Sequence, residues 1–121
     1  MLVNFSNHPF SDWSDKQVAE AQKSWGEVVD LAFPMVDPNM DKAEVEQMAV
    51  QYQVFIENIL QKSEEQKAAV HIMGELSLCF ALVGRLKSVG IQCVVATTLR
   101  ETKEEEGKKI SIFDFVRFRS Y

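Results

Sequence analysis

Apolar residues follow two different spacings along the chain, and together these spacings predict strands that alternate with helices. Short apolar runs at residues 2–5, 28–33, 68–73 and 91–97 have the length and composition of buried strands, and the fourth strand is predicted to continue through Leu99 towards the turn "EEEG". Between these runs, apolar residues recur at intervals of three and four, as on one face of a helix. The predicted order is β-α-β-α-β-α-β-β, and the final strand covers Lys108–Arg119.

The ends of the predicted helices carry signals of their own. Ser14 and Asp41 stand where side-chain caps of the first two helices are expected, and Glu44 completes a capping box with Asp41. Gly26 and Gly90 follow the first and third helices, in the position where glycine commonly ends a helix. These residues support the boundaries that the apolar spacing predicts.

The predicted third helix, Glu75–Ser88, is apolar around most of its circumference. A helix of this kind is either central in the fold or covered by another subunit. The sequence pattern leaves both interpretations open.

Strands that alternate with helices imply parallel pairing through right-handed crossovers. We therefore expect one α/β domain over residues 1–121, with a three-layer Rossmann-like fold whose mostly parallel sheet ends in a C-terminal antiparallel β-hairpin. Alternation in the last strand predicts Phe113, Phe115, Arg117 and Arg119 on one face. Such an aromatic and basic face can stack bases and hold phosphates. Alternatively, the aromatic rings pack on a helix and the arginines lie at the edge of the sheet.

The charge of the chain limits its partners. The 121 residues carry a formal net charge of −5 at pH 7, which argues against unspecific binding to long nucleic acids. The charge is uneven, because residues 91–121 carry six basic and five acidic side chains while the preceding residues are strongly acidic. An anionic ligand is therefore expected near the C-terminal quarter of the chain.

The sequence predicts a cytoplasmic protein without a membrane partner. It has no basic start followed by an apolar run, and its apolar stretches are far shorter than a membrane span. Cys79 and Cys93 lie inside apolar segments, as buried free thiols do in a reducing compartment. No cofactor is expected, because neither G-x-G-x-x-G nor a Walker A sequence is present. With two cysteines and two histidines, no metal site is expected within one chain.

In an open parallel sheet, ligands bind beyond the carboxyl ends of the strands, where helix N-termini point. The first stretch in such a position contains Ser6, Asn7 and His8, which supply a hydroxyl, an amide and an imidazole. These groups are compatible with a phosphate ligand. They are equally compatible with a turn that caps the next helix.

Two further stretches follow later strands. Gly74 would let a ligand approach the backbone closely, and Glu75 either contacts a ribose or a base edge or stabilises its own helix. Thr97, Thr98 and Arg100 combine two hydroxyls with a guanidinium, whose planar charged fork suits phosphate. The two threonines are also common strand formers.

The sequence contains no nucleophile elbow, no recognisable Cys–His pair and no carboxylate cluster with metal-binding spacing. An enzyme built from these residues is expected to work without metal. One such reaction is RNA cleavage in which a ribose 2′-hydroxyl attacks the adjacent phosphate. His8 would shuttle the proton and Arg100 would stabilise the charge, while His71 is interpreted as a core histidine.

The stretches "NFSNHP", "HIMGE" and "TTLRE…FDFVRFRSY", taken together, resemble the small Rossmann-like proteins of type III CRISPR systems that are related to CARF domains and ring nucleases. The resemblance runs over most of the chain. It implies a homodimer that binds cyclic oligoadenylate across its two-fold axis. Some members of such families cleave the ring without metal, and some only bind it.

Carried onto this chain, the resemblance implies that the apolar helix 75–88 forms the dimer interface. It implies ligand contacts at Ser6, Asn7, His8, Gly74, Glu75, Thr98 and Arg100, to which we add the neighbouring Thr97, and it makes His8 and Arg100 the candidates for catalysis. The first loop and the start of the third helix lack an obvious lysine, so cleavage is less well supported than binding.

Two alternative functions are compatible with the same sequence. In the first, the chain is a non-enzymatic interaction module, and its hairpin and apolar helix contact a protein partner. This alternative predicts an exposed apolar patch. In the second, the chain is a nucleotide-processing enzyme of another kind, which requires a pocket closed within one subunit.

Overall fold

The computed structural model describes residues 1–64 and 66–121 of the chain. The elements that these residues form are β1 Leu2–Ser6, α1 Asp15–Trp25, β2 Val28–Asp30, α2 Lys42–Gln61, β3 Ala69–Met73, α3 Leu76–Ser88, β4 Gln92–Glu105 and β5 Lys108–Ser120. A single turn of 3₁₀ helix at Phe10–Asp12 precedes α1.

The strands form one sheet in the order β2-β1-β3-β4-β5. β1 pairs in parallel with β2 and β3, β3 pairs in parallel with β4, and β5 runs antiparallel to β4. α2 and α3 pack on one face of the sheet around Phe5 and Ile72, and α1 packs on the other face around Leu2 and Val94. The predicted Rossmann-like three-layer fold with a C-terminal hairpin is confirmed.

Most predicted boundaries agree with the structure to within a residue or two. The capping box is present, since the Glu44 amide donates to Asp41 Oδ1 at 2.9 Å and the Asp41 amide donates to Glu44 Oε1 at 3.4 Å. The Ser14 hydroxyl caps α1. Gly26 and Gly90 follow α1 and α3 with φ of 79° and 82°, the left-handed region that glycine adopts without strain.

The predicted second strand, Val28–Phe33, is too long. β2 ends at Asp30, because the chain leaves the sheet before Pro34, which has no amide hydrogen to continue a ladder. The Phe33 side chain instead stacks on Phe5, with 4.7 Å between ring centroids.

The hairpin extends far beyond the rest of the sheet. β3 pairs with β4 only at residues 92–94, whereas β4 continues with β5 to the turn at residues 106–107. A two-stranded ribbon of this length therefore stands beyond the carboxyl ends of the parallel strands. Its position makes it one wall of the space beyond the end of β3.

A β-bulge in the hairpin overturns one prediction about its faces. Thr98 pairs with Phe115, but Thr97 pairs with Arg117, so β5 contains one extra residue at Val116. Paired residues share a face, and neighbouring residues of β4 point to opposite faces. Phe113 and Phe115 therefore lie on the opposite face from Arg117 and Arg119, and the single aromatic and basic face predicted from alternation is wrong.

The interpretation of His71 as a core histidine is confirmed, because only 1% of its surface is exposed. Both cysteines are buried, as predicted. Within residues 1–64 and 66–121, the structure contains no helix with the length and apolar character needed to cross a membrane.

Candidate functional site

A cavity of about 450 Å³ lies at the carboxyl edge of the sheet. One wall comes from the first loop and the segment after it, including His8 and Trp13, and the opposite wall comes from the hairpin, including Thr98 and Phe115. His71 of β3 also lines the cavity. Because β3 lies between β1 and β4, the loop after β1 faces the hairpin across the end of β3. The volume is in the range of about 300–1,000 Å³ that is usual for small-molecule sites.

A buried asparagine fixes the first loop. Asn4 lies in β1, and its Nδ2 donates to the His8 carbonyl and to Asp30 Oδ1, both at 2.8 Å. Its Oδ1 accepts from the Ser6 hydroxyl at 2.7 Å. The His8 carbonyl also accepts from the Trp13 indole nitrogen at 3.0 Å. Hydrogen bonds therefore hold the loop backbone to β1, to β2 and to the Trp13 indole, which forms part of the cavity wall.

The same network determines which nitrogen of the neutral His71 ring carries the proton. Asp30 and the His8 carbonyl can only accept, so Nδ2 of Asn4 must point toward them and Oδ1 must point toward His71. His71 Nδ1 lies 2.9 Å from that oxygen and therefore carries the proton of the neutral imidazole. Burial, and secondarily the charge of His8, lowers the pKa of His71 to about 4. His71 is neutral at pH 7 and is a weak base.

Arg100 lies on the hairpin face that forms the cavity wall. It pairs with Phe113, and its guanidinium carbon lies 5.7 Å from the centroid of that ring. Arg100 also donates to the Ser111 hydroxyl at 3.2 Å. Phe113 itself lines the cavity, so the guanidinium is held over the outer part of the aromatic wall. A cation in this position can meet a phosphate whose base occupies the cavity.

The structure brings together three of the residues predicted for the site. His8 and Thr98 line the cavity from opposite sides, and Arg100 adjoins it through Phe113. Ser6 is buried in the Asn4 network and positions the loop. Asn7 lines a separate cavity of about 310 Å³ on the other side of the loop, next to Asp30.

The other three predicted residues have local structural roles. A Cβ on Gly74 would lie 2.5 Å from the Phe33 ring, so this glycine makes room for Phe33. The Glu75 carboxylate caps α3, accepting from the amides of Ser77 and Leu78 at 3.1 and 2.8 Å. The Thr97 hydroxyl contacts the backbone of Arg117 at the bulge and lies on the hairpin face opposite Thr98.

The hydrogen bonds that Glu75 accepts as the cap of α3 also change the pKa of its own carboxyl. The Ser77 hydroxyl, followed by the amides of Leu78 and Ser77, lowers the pKa of the Glu75 carboxyl below its ordinary value. The side chain stays ionised and engaged with its own helix.

Sequence reasoning missed Trp13 in the cavity wall and Asn4, which positions that wall through the His8 carbonyl. One signal for Asn4 was available, since it is a polar residue in the middle of the apolar run of β1, and a buried polar group needs partners. Trp13 gives no comparable signal, because its role depends on the path of the first loop back over β3. Among the described residues, no group of three or more histidine, cysteine, aspartate or glutamate side chains could hold a metal ion.

The fold and the cavity define a Rossmann-like α/β domain with a small-molecule-sized site at the carboxyl edge of its sheet. The chain matches the model of the uncharacterized protein MJ1673 family over residues 1–119 and belongs to this family. Searches of curated proteins and of solved structures found no match.

Proposed function

We propose that this protein binds cyclic oligoadenylate in type III CRISPR antiviral signalling, with one base of the ring in the cavity between the first loop and the hairpin. The observation that carries the proposal is the aromatic wall of this cavity with a cation above it. Trp13, Phe113 and Phe115 line the cavity, and Phe113, which is 62% exposed, offers the ring on which a base can stack beside Arg100. Stacking on aromatic rings together with a nearby guanidinium is the usual chemistry for single-stranded nucleotides.

The overall acidity of the chain does not oppose this ligand. A small ring presents few phosphates, so a few donors suffice where long nucleic acid needs a basic surface. The exposed His8 imidazole on the facing wall offers a second polar contact. We place this function in the cytoplasm, where the two free cysteines would stay reduced.

Binding is better supported than cleavage. Attack by a ribose 2′-hydroxyl is helped by a group that accepts its proton. His71 is a poor candidate, since its pKa of about 4 makes it a weak base. His8 and Arg100 are therefore the pair that cleavage would use, and the proposal is that the protein binds the ring with or without cleavage by these two residues.

Replacing Arg100 with alanine tests the proposal. We expect Arg100→Ala to weaken the binding of cyclic tetra-adenylate about tenfold to hundredfold, because a charge-assisted hydrogen bond to phosphate contributes about 1.5–3 kcal/mol. Isothermal titration calorimetry in EDTA measures the dissociation constants, and chromatography of the same mixtures detects linear products.

The matched control is Arg119→Ala. It removes the same charge from the same hairpin, but Arg119 pairs with Val95 on the face opposite Arg100. We expect this variant to bind the ring within about twofold of the wild type. The proposal is wrong if the wild type binds no cyclic tri-, tetra- or hexa-adenylate. It is also wrong if Arg100→Ala and Arg119→Ala have the same dissociation constant for the ring. Linear products that disappear in His8→Ala would establish cleavage.

The proposal includes a homodimer formed through α3. Leu76 and Phe80 lie one turn apart on this helix and are each 85% exposed. Gly84 lies a further turn along and has open space where a Cβ would stand. In a two-fold contact between antiparallel α3 helices, Phe80 of each copy would lie against Gly84 of the other, so that both copies make the same contact, as in an isologous interface.

The exposed stripe on α3 also favours the alternative function, in which the chain contacts a different protein. Replacing Phe80 with lysine separates the two. If α3 joins two copies, sedimentation equilibrium should show a dimer for the wild type and a monomer for Phe80→Lys. Val116→Lys, which changes an exposed apolar residue on β5, should remain a dimer. A monomeric wild type would contradict the dimer and leave α3 as a surface for another protein.

A further inference from the structure

One buried polar atom in the cavity wall has no hydrogen-bond partner among the described residues. His71 Nε2 makes no hydrogen bond to any described residue, and almost none of its surface is accessible. Buried polar atoms without partners are uncommon, because leaving one unpaired costs free energy. This cost calls for an explanation, because the rest of the polar cluster around Asn4 is paired.

The chemistry of this atom follows from the hydrogen bonds around it. The orientation of Asn4 is fixed by two acceptors, the Asp30 carboxylate and the His8 carbonyl. Asn4 Oδ1 therefore faces His71 Nδ1, and the proton of the neutral ring is on Nδ1. Nε2 carries a lone pair and can only accept a hydrogen bond.

Among the residues that the structure describes, the neighbours of the imidazole offer no donor to Nε2. Trp13 and Phe118 meet the ring edge-on, with centroids 5.5 and 5.7 Å away. The Trp13 indole nitrogen is already engaged with the His8 carbonyl. His71 nevertheless lines the 450 Å³ cavity together with Met73, an unbranched side chain that can rotate to admit a ligand.

We propose that His71 Nε2 accepts a hydrogen bond from an amino group on the bound base and so selects adenine over purines that lack this donor. The inference rests on the proposed function, since it concerns a base in the same cavity. A base with an amino group removes the cost of the unpaired nitrogen. A base with a keto oxygen in that place would set its lone pair against the lone pair of Nε2. A site that leaves its buried polar group unpaired in this way discriminates strongly against such a base.

The experiment compares two rings that differ only in the amino group. Cyclic tetra-adenylate and the cyclic tetranucleotide of purine riboside, which lacks the 6-amino group, are titrated into the wild type and into His71→Asn. Asparagine retains a donor that can reach Asn4 Oδ1 but has no atom in the place of Nε2. We expect the wild type to bind the adenine ring about tenfold more tightly, and His71→Asn to bind the two rings equally.

The outcomes separate the inference from the proposed function. Equal binding of both rings by the wild type, or equal discrimination by His71→Asn, overturns the role of His71 and leaves the ring as the ligand. Binding of neither ring overturns both. If His71→Asn does not fold, the ¹⁵N resonance of Nε2 in the wild type decides. It should shift on addition of the adenine ring and not on addition of the ring without amino groups, and an unchanged resonance contradicts the inference.

Discussion

Asn4→Ala is expected to lower the free energy of unfolding by about 3 kcal/mol, a large part of the stability of a small domain. Asn4 is 2% exposed and bonds to four groups. Its removal leaves the Nδ1–H of His71 without an acceptor in a buried site. The Ser6 hydroxyl is affected less, because it can still donate to the His8 carbonyl at 3.1 Å. Urea unfolding followed by circular dichroism measures the change.

Asn7→Ala provides the matched control. It removes the same side chain three residues further along, at an exposed position whose backbone amide still bonds to the Met73 carbonyl. We expect a change within about 0.5 kcal/mol. If Asn4→Ala and Asn7→Ala have the same stability, the buried network does not hold the first loop.

Asn4→Ala is also expected to weaken ligand binding. Asn4 does not line the 450 Å³ cavity, but it holds the His8 carbonyl, which in turn holds the Trp13 indole. Without Asn4, the wall that contains Trp13 loses its anchor, and ring binding is expected to weaken in the folded protein. A variant that unfolds more easily but binds the ring with wild-type affinity would show that the wall is preorganised by other contacts.

The fold could be predicted from the sequence because its signals are local. The capping box at Asp41 and Glu44 involves residues three apart, and the apolar spacing of α2 is set within one helix. Alternation of strands with helices then restricts the topology to parallel crossovers. Each step depends on neighbours in the chain, which a sequence displays directly.

The faces of the hairpin could not be predicted in the same way. A strand repeats every two residues, so a single extra residue at Val116 moves Arg117 and Arg119 to the other side. Whether a bulge forms depends on pairing between β4 and β5, including the Thr97 hydroxyl that meets the Arg117 backbone. Alternation along β5 alone contains no sign of it.

The sequence predicted the edge of the sheet at which the cavity lies, but only some of the residues that surround the cavity. The rule for parallel sheets led to His8, Thr98 and Arg100, which lie around one cavity. Gly74 was selected for a ligand that would approach its backbone, yet the Phe33 ring occupies that space. Asn4 and His71 are 67 residues apart in the chain, and their hydrogen bond arises only when β1 and β3 pair in this register.

The buried imidazole also makes stability depend on pH. Burial, and then the charge of His8, lowers the pKa of His71 from 6.5 to about 4 in the folded protein. Between these two values the unfolded chain binds a proton that the folded chain does not, so acid favours unfolding. His71 is therefore expected to lower the free energy of unfolding by about 3 kcal/mol as the pH falls from 7 to 4.

His71→Asn isolates this contribution from the carboxylates that titrate in the same range. The expected result is that urea unfolding between pH 7 and pH 4 shows a loss of stability about 3 kcal/mol larger in the wild type than in the variant. Parallel pH curves would mean that His71 accepts a proton in the folded state as readily as in the unfolded chain. In that case Nε2 would already be hydrated, and a base amino group would replace a water there instead of pairing an unpaired nitrogen, as the proposed selectivity requires. The pH dependence of folding thus tests, without any ligand, the buried state of the atom on which the specificity depends.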